Sequence, residues 1–183
     1  MTTTALAVEL VVIGYQALIW LALAATLAFP SCGEPLLKLF KEWNELLIIG
    51  SLAAAYTLGA IVNGVASRLM LWIERKLIFK RPQKPSEMRA AILVHEPEAL
   101  KYVMTYYEAP RVLRSTILNT VLIGVFTTIH LFHLVRCSQL LGLIACFIIA
   151  TGVAAWAWFE TAENFYFHLS KTYDTVKKSK QRK

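Results

Sequence analysis

The residue types best suited to chemistry gather near one end of the third apolar run of this chain. His130, His133 and Cys137 follow an i, i+3, i+7 spacing, which on a helix puts all three on one face. Two imidazoles and a thiolate placed in that way can hold zinc or copper, with Cys32 as a fourth ligand. Cys32 and Cys137 can instead close a disulfide if both face an oxidising compartment. The simpler reading has interfacial histidines bonded to carbonyls or water, and no cofactor is expected. Cys146 reads as a small apolar residue inside a helix. Arg89 and His95, with five residues between them, are types able to act on one phosphodiester, but the pair stands alone and Ala90 follows Arg89.

No other set of residues resembles a catalytic constellation. The chain has no phosphate-cradling glycine loop, no nucleophile elbow and no His-Glu-x-x-His pair. Its single aspartate, Asp174, lies close to the end. The expectation is therefore a non-enzymatic protein, with an outward-facing thiol-redox or metal-binding protein using Cys32, Cys137, His130 and His133 as the alternative.

The elements that must position these residues are strongly apolar. Of 183 residues, 57% are hydrophobic and 17% charged, with a net charge of +7 and mean hydropathy of +0.52. Soluble domains run at roughly 45–50% apolar and about 25% charged, so this composition excludes an ordinary soluble enzyme and a disordered chain. Four apolar runs occupy residues 10–29, 46–66, 115–135 and 139–159. Each is close to the ~20 residues a helix needs to cross ~30 Å of hydrocarbon, and none alternates with period two. The fold class expected is all-α, an integral membrane four-helix bundle forming a single membrane domain over 1–183.

Charge placement orients these spans. The 30–45 connection holds Glu34, Lys38, Lys41, Glu42 and Glu45, and the third connection holds only Arg136. By contrast, ten Lys/Arg and five Glu lie in 67–114, and six Lys/Arg follow Asn164. Positive charge stays inside, so the middle segment, both termini and the basic tail are expected on the cytoplasmic side. That side reads as the interior of a bacterium or of an organelle, with a bacterial inner membrane as the first expectation. No Lys or Arg precedes Lys38 and the first run exceeds a signal core, so that run is expected to stay as a helix.

Segment 67–114 reads as a small basic helical cap. Helix two should continue past the membrane, since GVASRLMLWIERKLIFK has no breaker before Pro82. Further helices are expected from Ser86 and after Pro97, with Pro110 kinking the chain or opening the helix that re-enters the membrane. Residues 171–183 are expected to be a disordered basic tail. The basic residues should attract anionic lipid headgroups, and no nucleic acid is expected as a partner.

Two stripes of small residues suit close helix packing: Ser51, Ala55, Gly59 and Asn63 in the second run, and Gly142, Cys146, Ala150 and Ala154 in the fourth. Four helices use one stripe internally, which leaves the other for a homo-oligomer or a place in a larger membrane complex. Polar residues at or near the spans are Glu9, Gln16, Asn63, Asn119, Thr127, Thr128, Glu160 and Glu163. Arg111 and Arg114 are expected to pair with Glu9, Glu160 or Glu163. The most concrete functional expectation is an oligomeric ion-permeable pore whose inner mouth is ringed by Asn119, Arg111, Arg114 and Glu160.

Overall fold

The computed structural model describes residues 3–29, 44–77, 84–132 and 134–181. These residues form six helices: α1 (Thr3–Ala28), α2 (Asn44–Leu77), α3 (Pro85–His95), α4 (Pro97–Thr105), α5 (Glu108–Leu131) and α6 (Cys137–Gln181). The described residues are all-α, and four of the helices, each covering most of one apolar run, are long and apolar enough to cross a membrane; the third run outlasts its helix, which ends at Leu131. This is an integral membrane protein. Residues 171–181, expected as a disordered tail, instead extend α6 to 45 residues. At 1.5 Å per residue that helix is about 67 Å long, so slightly more than half of it lies outside a ~30 Å hydrocarbon core. Its continuity has a local cause: Leu169 and Val176 are buried in the core of the basic unit.

The chain divides into two compact units. The apolar unit comprises Met1–Ala66 and Ser115–Ala154; the basic unit comprises Ser67–Arg114 and Ala155–Lys183. The breaks at 66/67 and 114/115 fall at the ends of apolar runs, whereas the break at 154/155 lies inside the fourth run, and α2, α5 and α6 each contribute residues to both units.

In the apolar unit α1 and α2 cross with their backbones almost touching. A Cβ on Gly14 would overlap the Ala55 carbonyl, and one on Gly59 would overlap the Leu10 carbonyl. Such an approach requires glycine on each helix at the crossing, and it gains dispersion contacts where lipid offers no hydrophobic drive. Ile13, Ala17 and Val62 are buried beside it, with Trp20, Leu58 and Leu118 packed around them.

The basic unit has a separate core. Met88 and Ile92 of α3, Val103 of α4 and Phe165, Tyr166, Leu169 and Val176 of α6 form one buried cluster. Prolines set the short helices: Lys84 is extended (φ −71°, ψ 141°) as a residue before proline prefers, and Pro85 opens α3. Glu87 closes that end by accepting the Lys84 backbone N–H at 3.3 Å. Pro97 opens α4 directly after Glu96, whose N–H bonds the Ile92 carbonyl at 2.7 Å. Pro110 sits in the first turn of α5, where its missing N–H costs nothing, so it neither kinks nor ends the helix.

Candidate functional site

Two buried polar clusters carry the chemistry of this protein, one in each unit. The larger is in the basic unit. Glu74, wholly buried on the inner side of α2, receives four hydrogen bonds. Arg114 of α5 places Nε at 2.8 Å and Nη2 at 2.6 Å from Oε1. Trp158 of α6 donates its indole N–H to the same oxygen at 3.1 Å, and the Tyr166 hydroxyl donates to Oε2 at 2.6 Å. Arg114 is 1% exposed, its guanidinium lies 5.6 Å from the Tyr107 ring centre, and its Nη1 is buried without a hydrogen-bond partner among the described residues. A buried charge is tolerable only when paired and hydrogen-bonded, and here one carboxylate ties three helices together. Tyr166 lies beyond the apolar run of α6. Burial first, and the neighbouring Glu74 carboxylate second, push its phenol far above the ordinary range, so it remains a donor.

The second cluster lies in the apolar unit around Asn119, which is wholly buried. Its Nδ2 donates to the Ile13 carbonyl at 3.0 Å and to Gln16 Oε1 at 3.2 Å, while Oδ1 accepts the Trp20 indole N–H at 3.0 Å. The Ser115 hydroxyl donates to Asn63 Oδ1 at 3.3 Å, and the Tyr15 and Ser51 hydroxyls meet at 3.2 Å. Every one of these groups finds a partner inside the chain, as polar groups in hydrocarbon must.

The arrangement places the anticipated residues differently from expectation. Arg114 pairs with Glu74, not with Glu9, Glu160 or Glu163. The reason is facial: Glu160 and Glu163 lie on the exposed side of α6, whereas Glu74 lies on the core side of α2. Asn119 and Arg114 are both buried and hydrogen-bonded within the chain. Arg111 is half-buried. The α2 stripe serves the monomer: Ala55 and Gly59 form the α1 crossing, and Ser51 and Asn63 carry interhelical hydrogen bonds. On α6, Gly142, Cys146 and Ala150 are exposed and Ala154 half-buried. Nothing lies within 4 Å of a Cβ built on Gly142.

For the metal and thiol reading, His130 is half-buried and Cys137 is an exposed free thiol. Cys32 and His133 lie outside the described residues. Among the described residues no group of three His, Cys, Asp or Glu side chains is gathered for a metal. Arg89 bonds the Pro85 carbonyl at 3.4 Å, and His95 ends α3 on a different face, so the two do not converge.

Glu74, Trp158, Tyr166 and Trp20 are the polar partners that pattern reading did not single out, whereas Gln16 was among the residues it named. Glu74 alone left a trace, an acid set among Leu71, Trp72, Ile73 and Leu77 on a helix otherwise rich in Arg and Lys. No protein-family model, curated protein or solved structure matches this chain.

Proposed function

We propose that this is a non-enzymatic polytopic membrane protein that self-associates in the bilayer, with both termini and the basic unit on the cytoplasmic side. The observation that carries this reading is the exposure of α6. Only 6% of its apolar window is buried, against 22–28% in the other three spans. Lipid can cover an apolar helix, but Gly142, Cys146 and Ala150 on that face favour a second helix, because small residues let backbones approach. The comparable residues of α2 are already used by α1. The basic unit supplies the charge asymmetry that sets orientation, and its lysines and arginines suit an anionic leaflet.

The mass of the purified assembly in detergent tests the reading directly: it should be a multiple of the monomer mass. A strictly monomeric preparation would remove the proposal. Recordings in planar bilayers then separate an ion-permeable assembly from a scaffold.

A further inference from the structure

Self-association leaves open which surface of the neighbouring copy α6 meets. Two exposed stripes in the chain answer each other. On α6, Gly142, Cys146, Ile149, Val153, Trp156 and Glu160 are all exposed, and Glu163 continues the series. Their steps of four and three residues form a heptad seam along one face of a continuous helix, the pattern that packs on another helix at about +20°. The seam is apolar until Trp156 and acidic after it.

On α2 the exposed stripe is Ile61, Val65, Arg68, Trp72 and Lys76, again at steps of three and four. This stripe turns basic where the other turns acidic, with Lys76 lying 4.1 Å over the Trp72 ring. Neither Glu160 nor Glu163 has an ionic partner among the described residues, and neither does Arg68. The levels of the two stripes are fixed within the basic unit by the buried carboxylate. Glu74 bonds both Trp158 and Tyr166, so its height on α2 falls about midway between them on α6. Residues 72–76 of α2 and 160–164 of α6 therefore share a level.

We infer that the exposed seam of α6 docks on the exposed stripe of α2 in a second copy of this chain, with Glu160 and Glu163 of one copy against Lys76 and Trp72 of the next. Rotation about the membrane normal preserves depth, so groups that share a level in one chain meet across such an interface. The contact is heterologous, since it joins two different surfaces, and repeating it builds a ring when the rotation between copies closes. Its register is set by opposite charge at one depth, and like charges there would reject any slipped pairing. A lipid leaflet would satisfy the basic stripe alone but would repel the acids facing it from α6. This inference rests on the self-association proposed above and names its interface.

Charge exchange in the full-length protein tests it. Lys76→Glu and Glu163→Lys should each raise the concentration at which the assembly dissociates by about tenfold or more, read by native mass spectrometry in detergent. The double variant should recover most of the wild-type stability of the assembly. In a background lacking Cys32, Cys137 and Cys146, Lys76→Cys combined with Glu163→Cys should give a crosslinked ladder with a short bifunctional thiol reagent, and neither single variant should. A ladder with rescue supports the interface. An assembly that persists unchanged in both reversals overturns the interface and leaves self-association standing. A wild-type chain that is monomeric throughout overturns both. Loss of bound anionic lipid in Lys76→Glu, with the assembly unaltered, assigns the basic stripe to headgroups and overturns the interface.

Discussion

At the scale of single residues, Glu74 governs the basic unit. Replacing it by Gln leaves the Arg114 guanidinium buried without a counter-charge, a change that costs about 3–5 kcal/mol in comparable buried pairs. Glu74→Gln should therefore lower the apparent melting temperature in detergent by roughly ten degrees, followed by the fluorescence of its neighbour Trp158. Tyr166→Phe removes one of four donors and should cost less, about 1–3 kcal/mol. The same hydroxyl predicts a pH dependence. Its folded value lies above that of the unfolded phenol, so its stabilising contribution is complete below the unfolded value near ~10 and declines as pH rises beyond it. The stability difference between wild type and Tyr166→Phe should be constant from neutral pH to about pH 9 and shrink above about pH 10, as measured by thermal melts. A difference independent of pH up to strongly alkaline conditions would contradict this assignment. Asn119→Ala should cost about 1–2 kcal/mol, since interhelical hydrogen bonds within bilayers are individually modest.

At the scale of helices, the two small-residue stripes make opposite predictions although they look alike in sequence. Gly14→Val and Gly59→Val force the α1–α2 backbones apart and should abolish the folded monomer, seen as loss of a monodisperse peak after detergent extraction. Gly142→Val adds its side chain to open space and should leave the fold intact while weakening assembly, read by the mass of the purified particle. Sequence made the helices legible, because four runs of about twenty apolar residues and the prolines at 85, 97 and 110 carry strong local signals. It did not indicate which stripe faces inward. That choice depends on Gly14, an isolated glycine in α1 that matters only because Gly59 stands opposite it in space. Nor did it mark Glu74 as the partner of Arg114, since forty residues separate them and Glu160 and Glu163 were equally plausible by depth. The extension of α6 over 171–181 was masked in the same way: Val176 is the apolar contact that holds a lysine-rich segment in helical form.

At the scale of the molecule, one span is left with almost no cover, and the acid and base that emerge beyond the bilayer lie at one level on separate helices. These features are what the proposed self-association rests on, and the mass of the purified particle is the measurement that decides it. The Glu74 cluster has a consequence for how such a chain is made. Its donors are spread along the sequence, with Arg114 forty residues downstream, Trp158 eighty-four and Tyr166 ninety-two. During synthesis the carboxylate lacks two of these donors until α6 is translated, so the basic unit cannot close while the ribosome is still on the earlier spans. Fragments ending before Trp158 should be inserted yet degraded, whereas a chain that extends through α6 should become protease-resistant. Closure of the basic unit is thus timed by α6, the helix that brings both aromatic donors to the carboxylate.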